Sequence, residues 1–223
     1  MIKVLILIIV LSIPFSLIYL NLNYPEVKGK YIFTMFAIFV MLERIWETFY
    51  TPRDKQIQKF RGDWTLLATS FMYFLVCLFI IFSFYSSVAK KFIITIIGLI
   101  IFITAGLLRF WAVKTLGHQW SIHLTDGLKQ KNNSFLIEGG PYKYIRHPIY
   151  LGIIFELIGI ALVANAFYFI VFILFINTPL YIMRALYEEK ISIIKFGNEF
   201  GIYRKQVSFM FPFKLFKRRS DKC

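Results

Sequence analysis

The sequence predicts an all-α integral membrane protein of about five transmembrane spans. The last apolar tract, residues 149–186, is expected to be a helical hairpin, and a cytoplasmic C-terminal helical segment follows it. Two observations carry this. The 223 residues are 58% hydrophobic with a mean hydropathy of +0.66, outside the range of a soluble domain. The apolar residues also gather into tracts of about 20 residues, the length that crosses a bilayer.

The first tract, 2–20, follows Lys3 as a signal peptide would, but no small-x-small cleavage site comes after it and apolar character continues to Leu20. It is therefore read as a retained span. The second, 31–47, carries Glu43, Arg44 and Glu47 near its end, where pairing or snorkelling accounts for charge. The third and fourth run over 65–86 and 91–113. Arg109, about one turn from the end of the fourth, is read as a topology anchor. The fifth tract is too long for one span and is broken at Ala164-Asn165-Ala166, which gives two helices. Its first helix should begin at Pro148, because proline has no N–H to lose and a φ suited to a first helical turn. Glu156, two turns into that helix, must face a partner or a cavity, and a structural and a functional role are equally open. The two cysteines, Cys77 inside a span and Cys223 at the end, form no disulfide framework.

The formal net charge is +14, and its distribution sets the expected topology. With the last tract a hairpin, Lys3, the Arg53–Arg61 loop, the Lys114–His147 segment and the tail from Lys190 onward share one side. Only Lys28, Lys30, Lys90 and Lys91 lie on the other. The positive-inside rule then places both the N- and C-termini in the cytoplasm. Such a basic face suits anionic lipid headgroups, and no nucleic acid is expected as a partner. Residues 1–223 read as one domain, with 1–113 as scaffold spans and 114–223 as the half that carries chemistry.

Polar residues gather at two places in that second half. In Gly139-Gly140-Pro141-Tyr142-Lys143-Tyr144-Ile145-Arg146-His147-Pro148-Ile149-Tyr150-Leu151-Gly152, a cation, an imidazole and a phenol stand where a span begins. The unpaired N–H groups and dipole of a helix starting at Pro148 would add to Arg146 in attracting an anion. The second place is Glu188-Glu189, with Arg184 four positions earlier on the same helical face. Two glutamates at the membrane end of a surface helix can also be a plain solvated cap. His118, His123 and His147 do not have the spacing of a ligand set, so no metal site is expected. No phosphate loop, dinucleotide fingerprint or nucleophile elbow is present.

Arg146-His147-Pro148-Ile149-Tyr150-Leu151-Gly152, the run from Glu188-Glu189-Lys190 through Phe200, Tyr203-Arg204-Lys205-Gln206-Val207 and Phe211-Pro212-Phe213 together resemble the isoprenylcysteine carboxyl methyltransferases, as does Gly106-Leu107-Leu108-Arg109. The resemblance covers roughly the C-terminal half. It implies a bundle of spans that binds S-adenosylmethionine in a cytoplasmic pocket and takes a lipid-like or prenylated methyl acceptor from the bilayer. Carried over, it implies that Tyr144, Arg146, His147, Tyr150, Gly152, Glu188 and Glu189 bind the cofactor. Arg146, Arg184 and Glu188 become the candidate catalytic residues, with Arg184 orienting an acceptor carboxylate or, equally, anchoring the last span. Two other enzyme classes compete, a phospholipid amine N-methyltransferase and an NADPH-dependent sterol reductase. A non-catalytic membrane scaffold is the third rival. Against the reductase, Glu188-Glu189 stands where those enzymes usually carry an arginine-aspartate pair.

Overall fold

A computed structural model describes residues 2–49, 64–86, 90–119 and 135–212. Helices dominate: α1 (Ile2–Asn23), α2 (Lys30–Phe49), α3 (Trp64–Ser86), α4 (Phe92–Leu116), α5 (Pro148–Val163), α6 (Tyr168–Phe172), α7 (Thr178–Phe196) and α8 (Asn198–Gln206). A π-helical turn, Ile173–Asn177, joins α6 to α7, so 168–196 is one continuous rod. No strand is formed among the described residues beyond a single parallel bridge between Ile145 and Ser208.

Three of these helices are long and apolar enough to cross a membrane: α3, α4 and the 168–196 rod. The expected hairpin is present. α5 starts at Pro148, and the chain reverses at Ala164-Asn165, where Asn165 takes a left-handed φ of 57° that asparagine tolerates better than most residues. The Asn165 side chain fixes the turn to the start of α4. Its Oδ1 accepts from the Lys91 N–H at 2.9 Å, and its Nδ2 donates to Thr95 Oγ1 at 3.0 Å.

α4 and α5 run antiparallel and form the most extensive helix pair among the described residues. Gly98 and Ala105 on α4 meet Gly159 and Gly152 on α5, each pair seven residues apart, so small residues recur on one face of both helices. Between apolar helices in lipid, close approach brings van der Waals contact that bulkier residues would prevent. At the Asn165 end, Lys30 Nζ donates to the Asn21 carbonyl at 2.9 Å and the Tyr85 hydroxyl to Asn21 Oδ1 at 2.9 Å, which ties α1, α2 and α3. Lys90 Nζ reaches the Lys28 carbonyl there, so Lys28, Lys30 and Lys90 gather at one end as the alternation of loops requires. Phe33 stacks on Phe84 with centroids 3.8 Å apart in the core below.

Candidate active site

At the opposite end, the approach to α5 is held by the end of the chain. Gly140, at a φ of 56°, opens a short 3-10 turn at 140–143. The Arg146 N–H donates to the Ser208 carbonyl at 2.9 Å and the His147 N–H to the Phe209 carbonyl at 3.2 Å. The Tyr203 hydroxyl donates to the Tyr142 carbonyl at 2.8 Å. Arg146 and His147 thus enter α5 already oriented by α8 and the residues after it.

Glu189, on α7, is the hub of the first cluster. Its Oε1 accepts from Arg146 Nε at 2.7 Å and faces His147 Nε2 at 3.1 Å, while Oε2 lies 3.1 Å from Arg204 Nε. Arg146 Nη1 donates to the carbonyls of Arg204, at 3.0 Å, and Val207. The guanidinium also sits 5.5 Å from the Phe209 ring centroid. Nε and Nη1 are therefore committed to protein acceptors, which leaves Nη2 for anything outside the protein.

His147 Nδ1 lies 3.5 Å from Glu188 Oε2, and its ring packs on Tyr150 and Phe209. Burial alone would lower the imidazole pKa. Hydrogen bonds and charge from Glu188 and Glu189 outweigh burial and raise it above its ordinary value. The two glutamates differ in access: the Glu189 side chain is 3% exposed and the Glu188 side chain 43%. Glu189 is a buried brace, whereas the Glu188 side chain is partly accessible.

Arg184 sits one helical turn before Glu188, on the side of Tyr150. Its Nε donates to the Tyr150 hydroxyl at 3.1 Å and its Nη1 to Thr65 Oγ1 at 3.1 Å. The guanidinium plane is thereby fixed from α5 and from α3 together. The residue is 4% exposed and turned into the protein. Tyr181, one turn deeper on α7, lies with its ring centroid 6.1 Å from that of Tyr150.

A second, deeper cluster centres on Glu156. Arg44 Nε donates to Glu156 Oε1 at 3.1 Å, the Tyr73 hydroxyl donates to the same oxygen at 2.6 Å, and Arg44 and Arg109 both pair with Oε2. Arg109 Nη1 also reaches Glu43 Oε1 at 2.9 Å. Two arginines and two glutamates balance in charge, and Tyr73 satisfies a remaining lone pair, as burial of ions demands. The expectation of Arg109 as a topology anchor is therefore corrected. Its head is turned inward because Glu156 is a buried acceptor within reach. Glu43 and Arg44 pair as expected; the Glu47 side chain lies outside the described residues.

Of the residues singled out in the sequence, Arg146, His147, Tyr150, Arg184, Glu188 and Glu189 converge. Tyr144 does not: it is 41% exposed and stands apart. Gly152, two residues after Tyr150 and so on the other side of α5, faces α4, where an added Cβ would overlap Cγ of Arg109 and lie 2.9 Å from its Cδ. Thr65, Tyr73 and Tyr181 carried no signal in the sequence, being hydroxyl residues scattered in apolar tracts. Arg204 stood within the family-like segment after α7 and could have been picked as the partner of a glutamate. No group of potential metal ligands occurs among the described residues. His123 and the His118 side chain fall outside them.

Comparison with known proteins adds three similarities and one family match. The model of the isoprenylcysteine carboxyl methyltransferase (ICMT) family matches residues 96–195. The chain is 32% identical over 128 residues to a protein-S-isoprenylcysteine O-methyltransferase of Saccharomyces cerevisiae, covering 57% of this chain and 52% of that protein. It is 34% identical over 118 residues to a steroid 5-alpha-reductase of Solanum lycopersicum, covering 52% and 41%. It is also 28% identical over 92 residues to an uncharacterized protein of Bacillus subtilis, covering 40% and 51%. The chain spans about half the length of the curated relatives it matches.

Proposed function

We propose, from the match of residues 96–195 to the model of the isoprenylcysteine carboxyl methyltransferase family, that this protein transfers a methyl group from S-adenosylmethionine to the carboxylate of an isoprenylcysteine-like or other lipid-like acid at the cytoplasmic membrane face. The bundle in this reading has about five spans, α1 to α5 and the 168–196 rod counting α5 and the rod as a hairpin, with both termini cytoplasmic. The observation that carries the proposal is that a partly accessible Glu188 side chain stands one helical turn from a buried arginine, Arg184, whose plane is fixed by Tyr150 and Thr65.

The donor set fits S-adenosylmethionine. Arg146 Nη2 and the start of α5 suit its carboxylate, and Glu188 suits its ammonium or ribose hydroxyls. Bound there, the cofactor supplies an electrophilic methyl on a sulfonium. Arg184 then orients the acceptor carboxylate, a nucleophile that needs no general base. What the protein contributes is placement and the exclusion of water. Glu189, braced by Arg146, His147 and Arg204, keeps the two sides of the pocket in register. Of the remaining cofactor candidates, Tyr144 is exposed and Gly152 faces Arg109, so the cofactor falls to Arg146, His147, Tyr150, Glu188 and Glu189.

The match to a steroid 5-alpha-reductase keeps a second reading in view, in which the same arginine-histidine segment serves NADPH. Titration of the purified full-length protein with S-adenosylhomocysteine and with NADPH separates the two. Binding of the first and not the second is expected. The reverse result would replace a methyltransferase with an oxidoreductase.

A further inference from the structure

At the end of the bundle away from the candidate site, four lysines meet from two links. Lys28 and Lys30 stand where α2 begins, and Lys90 and Lys91 where α4 begins. Two contacts join the links. Lys90 Nζ reaches the Lys28 carbonyl at 3.5 Å, and it stands over the ring of Phe84, which stacks on Phe33 of α2. Lys30 is buried with its Nζ on the Asn21 carbonyl, whereas Lys28 and Lys91 are exposed.

This cluster lacks a counter-charge. Glu26 is the one carboxylate at that end among the described residues, and it forms no ion pair with any of the four. α2 and α4 both start here, so the positive ends of two helix dipoles add to the lysines. Burial already lowers the Lys90 pKa to about 8, and a neighbouring anion would offset both burial and repulsion. In the proposed topology this face is non-cytoplasmic, where lysine works against the orientation of the chain. Orientation therefore does not account for these residues.

The surface below the lysines points to what carries the anion. Tyr31 and Ile32 on the first turn of α2, and Phe92 and Ile93 on the first turn of α4, are exposed, as side chains turned to lipid are. Lysines above such a belt stand at the depth of lipid phosphate, with apolar surface beneath them for acyl chains. A free phosphate ion would engage the lysines and leave that belt unused.

We propose that Lys28, Lys90 and Lys91 form a docking surface for the headgroup of an anionic phospholipid, whose chains pack along the first turns of α2 and α4. The surface is independent of methyl transfer and of the site at the other end.

The test reads lipid choice at this face alone. Ile93→Cys in a Cys223→Ser background carries a bimane label on the full-length protein in phosphatidylcholine vesicles, and spin-labelled lipid quenches it. Spin-labelled phosphatidylglycerol should show a relative affinity roughly five-fold or more above that of spin-labelled phosphatidylcholine, the factor one lysine beside a headgroup supplies. Adding Lys28→Gln and Lys91→Gln should bring the ratio close to one. Adding Lys28→Arg and Lys91→Arg should preserve it, because the charge is kept. Equal affinities before the lysines are changed, a preference that survives the glutamine pair, or its loss in the arginine pair would each overturn the proposal. Inorganic phosphate, compared with chloride at matched ionic strength, separates the two sources of the anion. The preference should be the same in both salts; if phosphate alone abolishes it, the lysines hold the free ion and the lipid assignment falls.

Discussion

Gly98 on α4 and Gly159 on α5 cross so closely that a Cβ on Gly98 would lie 2.8 Å from the Gly159 carbonyl oxygen, and a Cβ on Gly159 would lie 3.0 Å from the Gly98 carbonyl oxygen. The obstruction in both directions is backbone, which cannot swing aside as a side chain can. This crossing sets how near α5 stands to α4, and with it where Arg109 meets Glu156.

Gly98→Ala and Gly159→Ala should therefore each destabilise the protein by about 1–3 kcal/mol, the usual cost of overpacking. Gly106→Ala, on the same α4 with no atom within 4 Å of the added carbon, should be neutral or slightly stabilising, because alanine favours helix over glycine. Thermal unfolding in micelles measures all three. Equal effects at positions 98 and 106 would remove the crossing as an explanation.

Gly152→Ala should act through Arg109. The new methyl group would occupy the path of the Arg109 stem and loosen its pairing with Glu156. In wild type, Glu156→Gln is expected to cost about 3–5 kcal/mol, because it leaves buried arginines uncompensated. In the Gly152→Ala background it should cost distinctly less. Additive losses in this double-mutant cycle would show that Gly152 and the ion cluster are independent.

The raised pKa of His147 has a definite sign in stability. A group whose folded pKa lies above its unfolded one stabilises the fold fully below the unfolded value, here an ordinary 6.5, and that contribution fades as pH rises through the folded value. The melting temperature of wild type minus that of His147→Gln should thus be largest below pH 6.5 and shrink above it. A gap that widens with rising pH would mean that His147 is neutral in the fold.

Arg184→Lys should separate binding from chemistry. Lysine keeps the charge but loses the planar fork that reaches Tyr150 and Thr65 at once. Affinity for S-adenosylhomocysteine should stay near normal while methyl transfer falls roughly 10–100-fold, the penalty for a reacting group misplaced by about 1 Å. Parallel loss of affinity and activity would assign Arg184 to the cofactor instead.

Much of this architecture could be read in advance, and the reasons differ by element. Pro148 and the Ala164-Asn165 break fixed the limits of α5 because proline and a left-handed asparagine have few other uses in an apolar tract. Arg146, His147, Glu188 and Glu189 stood out because charge beside a span always needs a partner. Arg109 was misjudged on the same rule: position near a helix end suggested snorkelling, and only the fold shows Glu156 one helix away. The roles of Thr65, Tyr73 and Arg204 depend on contacts between distant segments, which periodicity cannot reveal.

The Glu156 cluster also bears on how the protein is made. α5 has 16 residues, about 24 Å of helix, short of the roughly 30 Å hydrocarbon core, and it carries a carboxylate at its middle. Such a segment partitions poorly into lipid by itself, since an acidic residue at the centre costs about 2.5–3.5 kcal/mol at the insertion machinery. Arg44 and Arg109 come earlier in the chain than α5. Pairing with Arg44 and Arg109 offsets that cost, so seating α5 against the earlier helices and neutralising its carboxylate are one event.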